Sequence, residues 1–285
     1  MLRKLLTVAL LVLLFFAACK KKDKDLPEAT TAAPLIDSSY ITPNPSPKAA
    51  KRVLFEVFSG VRCPTSPNAT EALDSIITKY PNGISGIVIH AGQKEFVQAG
   101  PFKDKGQPDL NTSWGTSIFS IIKKPNGIPY GIVDRISGSN MTSHFDSLAL
   151  HYLTKISDAN TYVRILSYDA TSRELRYEVV FELTSDLSGN ELYFSTAITE
   201  DNIIGKQEDT QGEHEEFEHN HILRDMPQFG ESLNPNNTPS ASNGRVFIKQ
   251  FAYTLNEDWV PENCRLMAYI HKSVEVLQTA EVKIK

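Results

Sequence analysis

The stretch Val53-Leu54-Phe55-Glu56-Val57-Phe58-Ser59-Gly60-Val61-Arg62-Cys63-Pro64-Thr65-Ser66-Pro67 decides how this chain is read. Its first six residues are apolar but for Glu56, with no helical period, which fits a strand covered on both faces. Ser59-Gly60 break the run. Ser66-Pro67 then read as a helix start, because proline is tolerated in the first turn, where its missing N–H would have had no partner. Cys63 therefore stands between a buried strand and a helix amino terminus, where partial positive charge favours a thiolate and Arg62 adds to it.

Working outward, Asn68 to Tyr80 places Ala69, Leu73, Ile76, Ile77 and Tyr80 on one helical face, and Ile84 to His90 is a second apolar strand. Thr112 to Ile122 reads as a helix. Ile128-Pro129-Tyr130-Gly131-Ile132-Val133 is a strand with proline at its start, followed by Asp134-Arg135 as a hairpin ion pair. Ser143 to Ile156 closes the region as an amphipathic helix with Phe145, Leu148, Leu153 and Ile156 facing inward. Strands alternating with helices predict an α/β domain over residues 51–157.

Residues 158–285 change character. Tyr162 to Tyr168, Leu175 to Leu183, Leu192 to Thr199, Val246 to Leu255, Leu266 to His271 and Val276 to Ile284 read as strands, which predicts an all-β, immunoglobulin-like sandwich. Between the third and fourth lies an insertion, residues 200–245, with ten acidic against three basic residues. A connection of that length suggests a binding element or a mobile flap.

At the other end, Arg3 and Lys4 precede an apolar run from Leu5 to Ala18 that is too short for an ordinary membrane-spanning helix and reads as an export signal, residues 1–18. The run ends in Phe16-Ala17-Ala18-Cys19, which resembles the lipobox cut by the lipoprotein signal peptidase, with Phe16 in place of the usual leucine. Cys19 then becomes the acylated amino terminus, held to a membrane by buried acyl chains at about 0.8 kcal/mol per methylene. Residues 19–50, rich in Lys, Pro, Ser, Thr and Ala, read as a flexible tether.

Composition bounds the function. Among 285 residues, 41% are hydrophobic and 22% charged, as in globular proteins, and 29 basic against 34 acidic residues leave no cationic surface for nucleic acid. There is no G-x-S-x-G elbow, no phosphate loop of the Walker type and no H-E-x-x-H helix. Trp114 and Trp259 read as core or domain-interface residues, and no cofactor is implied.

The stretch from Val53 to Pro67 resembles the active-site segment of the outer membrane protein 28 family of Bacteroidota lipoproteins. Three further landmarks share the resemblance: Gly127 to Arg135, His219-Asn220-His221-Ile222-Leu223-Arg224, and Val276 to Val282. It implies a thioredoxin-like domain followed by a β-rich one, in a lipid-anchored protein of the outer membrane. It also implies a structural role for His219-Asn220-His221, tying loop backbone to the sandwich. Relatives commonly carry C-x-x-C followed by proline, so Cys63 matches the first cysteine, Ser66 replaces the second, and Pro67 matches the proline.

That substitution sets two readings against each other. A dithiol works because one thiolate attacks a disulfide and the second thiol resolves the mixed disulfide. Cys63, Ser66 and a cis-proline at Pro129 would make a redox site without an internal resolver. The first reading is a degenerate site serving protein binding or assembly in the cell envelope. The second is a periplasmic monothiol exchange protein using Cys63 alone, so whether the chain is an enzyme stays open. Cys264 is either a free thiol or a partner for Cys63. Glu213 to His221 also offers His214, His219 and His221 as metal ligands, with His219 and His221 on one side of an extended strand, but the spacing fits no familiar metal set.

Overall fold

The computed structural model describes residues 33–97, 108–122 and 125–285. The export signal, Cys19 and the first part of the tether lie outside the described residues.

Strand β2 (Val53–Ser59) is wholly buried, as its unbroken apolar run requires, and leads through the Cys63 turn into helix α1 (Ser66–Lys79), which carries Pro67 in its first turn. Strand β3 (Ile84–His90) lies parallel to β2 with Val57 opposite Val88. After the short helix α2 (Lys94–Val97) comes α3 (Ser113–Ile121), capped by Thr112, whose hydroxyl accepts from the Gly115 N–H at 2.9 Å. Strand β4 (Tyr130–Val133) runs antiparallel to β2, turns into β5 (Ser137–Ser139), and is followed by α4 (Phe145–Leu153).

Alternation along β2 sorts its side chains onto two faces. Val53, Phe55 and Val57 meet Ala69 and Leu73 of α1 and Phe145 and Ala149 of α4. Gly131 is required there, since a Cβ would lie 2.4 Å from the Phe145 ring. Leu54 and Phe58 face the other way, onto Trp114 and Ile118 of α3 and onto Met226, Met267 and Tyr269 from the second half of the chain.

That second half supplies β6 (Ala159–Tyr168), β7 (Glu174–Leu183), β8 (Tyr193–Glu200), β9 (Ile203–Asp209), β10 (Gly212–His219), β11 (Ile222–Ser232), β12 (Arg245–Thr254), β13 (Cys264–Lys272) and β14 (Glu275–Lys283). The protein is mostly β-sheet, with two sheets packed as a sandwich. A four-stranded sheet in the order β1-β12-β7-β6 faces strands β14, β13 and β8 across a core that includes Tyr177, Phe181, Phe194, Phe247 and Leu266. Here β1 is Ile36–Ile41. The second sheet continues past β11 into the first half of the chain, in the order β14-β13-β8-β11-β3-β2-β4-β5. The join is the parallel bridge of Ile222 to Val88, with the Val88 N–H donating to the His221 carbonyl at 2.7 Å.

Four expectations need correcting. The tether is not flexible throughout: residues 36–41 are the edge strand β1, in register with β12 from Ile36 opposite Gln250 to Ile41 opposite Arg245. Such a strand has little pattern of its own because its ladder is set by a partner some two hundred residues away. Residues 200–245 are not a flap but three strands, of which β9 and β10 form a hairpin and β11 joins the main sheet. The last helix stops at Leu153, leaving Ile156 68% exposed rather than inward. Asp134 and Arg135 do not pair with each other: Asp134 meets Lys51 at 3.2 Å and Arg135 meets Glu56 at 2.7 Å, both pairs buried.

Candidate functional site

The turn after β2 is held from three sides. Within it, the Cys63 N–H donates to the Gly60 carbonyl at 3.0 Å and the Ser66 N–H to the Cys63 carbonyl at 3.0 Å, while the Ser66 hydroxyl accepts from the Gly60 N–H at 3.3 Å. From α2, the Phe96 carbonyl accepts the Arg62 N–H at 2.9 Å, so close that a Cβ on Gly60 would stand 2.4 Å from that oxygen. From β9, the Glu208 N–H donates to the Val61 carbonyl at 2.8 Å, and the Gln207 amide donates to the Gly60 carbonyl at 3.2 Å.

These contacts enclose Cys63, whose exposure is 3%. Its sulfur lies 3.6 Å from the Ile128 carbonyl and 3.6 Å from the Thr65 hydroxyl. The Ile128–Pro129 peptide is cis. Cys63, Ser66 and Pro129 are thus gathered in one place, with Ser66 turned onto backbone. Arg62 does not serve the thiol, because Glu208 engages its guanidinium at 3.3 Å. Beside Ile128 a groove of about 460 Å³ runs past Gly92, Gln93, Thr116, Phe119 and Asn126.

Cys264 is elsewhere. It is fully buried in the sandwich core at the start of β13, opposite Glu200, and both cysteines are free thiols. Burial, with Glu200 adding to it, pushes the Cys264 thiol up to about 12. The three histidines are also dispersed. His214 is exposed and 2.7 Å from Asp209. His219 ends β10 and is buried, with its pKa pushed down to about 4 by burial against a smaller opposing effect of the Lys206 carbonyl. His221 lies outside that strand, with φ at 57°, and sits 3.2 Å from both Asp74 and Asp201, which hold its pKa above the ordinary value against burial. Among the described residues no three or more His, Cys, Asp or Glu are grouped to hold a metal.

Residues 120–285 match the family described as outer membrane protein Omp28. The chain belongs to the Omp28 family. Membership places it at the outer membrane; among the described residues no helix is long and apolar enough to cross a membrane. In fold it is similar to HBP35 of Porphyromonas gingivalis, at 14% identity and a TM-score of 0.64, over 85% of this chain and 77% of that one. A domain of the outer membrane lipoprotein Omp28 from Porphyromonas gingivalis aligns at 14% identity and a TM-score of 0.29, over 46% of this chain and 91% of the other. No curated protein matches the chain.

Several polar residues of this Omp28-family chain carry no motif in sequence. His90, at the end of β3, is buried beside His219 with ring centroids 5.8 Å apart, and its pKa is held well below the ordinary value by burial and then by that neighbour. Among the described residues neither His90 Nδ1 nor His219 Nε2 has a hydrogen-bond partner. The Glu56 carboxylate, the Arg135 guanidinium and the Tyr269 hydroxyl form a buried chain across the two halves, at 2.7 and 2.9 Å. Glu56 was the visible signal, as a lone charge inside an apolar strand that demands a buried partner.

Proposed function

We propose that the protein binds a protein partner at the outer membrane, in an assembly role, through a degenerate thioredoxin-like site on the β2–α1 turn. The thioredoxin-like reading is supported by the strand order β3-β2-β4-β5, with β3 parallel and β4 antiparallel to β2, and by the cis-proline facing the cysteine. The observation that carries the binding role is the enclosure of Cys63 at 3% exposure, with the Ser66 hydroxyl spent on the Gly60 N–H where a resolving thiol would stand. A partner would meet the groove beside Ile128 and the exposed acidic face of β10, where Lys206 pairs with Glu213 and Glu215 while Glu216 and Glu218 favour a basic surface. Removal of a signal over residues 1–18, acylation of Cys19 and an immunoglobulin-like reading of the sandwich belong to the same proposal.

Monothiol exchange is the second reading, favoured by the Cys63 sulfur lying against the Ile128 carbonyl just before the cis-proline. Diagonal gels of cells quenched with acid and alkylated separate the two. The binding role expects no mixed disulfide on Cys63, and a Cys63-dependent off-diagonal partner would overturn it.

A further inference from the structure

A second cleft, of about 560 Å³, lies away from Cys63 where the two halves of the chain meet. That volume suits a small organic molecule, and junctions of this kind are favoured places for ligands. Its apolar wall is Ile121 at the end of α3, Phe229 of β11 and Val274 in the β13–β14 turn. Ile121 and Val274 are 40% and 38% exposed, large aliphatic side chains left open to solvent at the mouth.

The polar floor is Arg135, Ser195 and His271. His271 Nδ1 is 2.6 Å from the Ser273 carbonyl, a contact a ring nitrogen makes only by donating, so Nε2 is a bare acceptor. The Ser195 hydroxyl, 3.3 Å from Nε2, supplies its hydrogen there and accepts the Gly230 N–H at 2.9 Å. These two groups satisfy each other. Arg135 does not finish its bonding: Nε and Nη2 are taken by Glu56 and Tyr269, and Nη1 has no partner among the described residues. A fixed guanidinium with one terminal nitrogen to spare calls for an acceptor.

Charge at the rim sharpens the choice. Glu56 balances Arg135, and the mouth holds one carboxylate and one ammonium, so the choice turns on which of these already has its partners. There the Glu191 carboxylate accepts from the Ser232 hydroxyl at 3.1 Å and interacts with the Tyr193 phenol. Lys272, also lining the cleft, makes no ion pair within 4 Å among the described residues, its charge acting at longer range on Asp158. We infer that this cleft binds a small organic carboxylate with an apolar body, its oxygens on Arg135 Nη1 and Lys272 and its body against Ile121, Phe229 and Val274.

The test uses the full mature lipoprotein in lipid nanodiscs, with empty nanodiscs as the blank. Octanoate, 3-phenylpropionate and indole-3-acetate, each beside its primary amide, are titrated by calorimetry and ligand-observed NMR. At least one carboxylate should bind with a Kd of about a millimolar or tighter, its amide about tenfold more weakly. Val274→Trp, which fills the mouth from an exposed turn, should abolish that binding. Lys272→Ala, on the rim and outside any ion pair, should weaken it several-fold and keeps the test independent of packing. Cys63→Ser should leave it unchanged, which separates this site from the one proposed above. Failure of all three carboxylates to bind, amides that bind equally well, or binding unaltered in both cleft variants would overturn the assignment.

Discussion

Strand β2 is fastened to the second half of the chain at both ends, by different means. At its start Lys51 meets Asp134 and donates to the Val276 and Leu277 carbonyls at 2.8 and 2.5 Å, and Arg52 reaches Glu281 at 2.7 Å. In its middle the Glu56–Arg135 pair lies in the core beside Tyr269. At its far end the Cys63 turn is covered by a hairpin that touches it through the backbone carbonyls of Gly60, Val61 and Cys63, one amide side chain and a half-exposed ion pair. Buried charge makes the first two joints costly to break, whereas the third is made of neutral hydrogen bonds around the buried Gln207 amide and one half-exposed ion pair, each individually weaker. The enclosure of Cys63 therefore rests on the weakest joint in the seam.

The largest effect should come from the middle joint. Glu56→Gln leaves the buried Arg135 cation without its counter-charge and should cost about 3–5 kcal/mol in urea denaturation. Glu56→Met combined with Arg135→Met should recover much of that loss, since an apolar replacement of both partners removes the unpaired charge. A cost under about 1 kcal/mol for Glu56→Gln would remove the contrast between the joints.

Acidification should act next most strongly, near the hairpin. His219 and His271 are buried neutral with pKa values pushed to about 4, and His90 is lowered as well. The unfolded chain therefore binds more protons than the folded one between about pH 6.5 and pH 4, so this contribution is complete above pH 6.5 and is lost as pH falls through that window. Asp134, pushed up to about 6 by burial, works the other way between about pH 4 and 6, and His221, held above its ordinary value, favours the folded state at lower pH. Glu200, raised by burial, opposes likewise, but the three lowered histidines outweigh these groups, and stability should drop by a few kcal/mol, on the order set by the shifts, from pH 7 to pH 4.5. His219→Gln should flatten part of the profile, and stability independent of pH over this range would contradict the assignment of neutral buried rings.

The smallest energetic effect belongs to the hairpin joint, where it should be read out as reactivity. Arg62→Ala should change stability by no more than about 1 kcal/mol, and Gln207→Ala, which leaves buried carbonyls without their donor, by about 1–2 kcal/mol, yet both should speed the alkylation of Cys63 by iodoacetamide. Cys264, held in the sandwich core with its thiol pushed up to about 12, should stay unreactive in both variants. Equal acceleration at both cysteines would mean that the variants loosen the whole fold rather than one joint.

Much of the fold near Cys63 could be read from sequence because it rests on local signals. An unbroken apolar strand, a proline in the first helical turn and Ile128-Pro129 at a strand start each carry their own physical reason. What escaped the reading is non-local. Strand β1 has its register set by β12, and β10, whose exposed carboxylates leave it few apolar residues, was read only as part of a long insertion. The hairpin that covers Cys63 joins residues some 145 positions apart, Glu208 to Val61 by backbone and Gln207 to Gly60 by a side-chain amide onto a carbonyl, contacts that leave no periodic trace in sequence. The pairing of Asp134 with Arg135 failed for a related reason: adjacent opposite charges look like partners, but each was drawn to a buried charge on β2 or just before it.

Crosslinking in cells followed by mass spectrometry, comparing the native chain with Cys63→Ser, tests the central claim most directly. Recognition by shape around an enclosed thiol predicts the same envelope partner, at the same yield, from both chains. Loss of that partner with the thiol would contradict it and turn the site from binding to exchange chemistry.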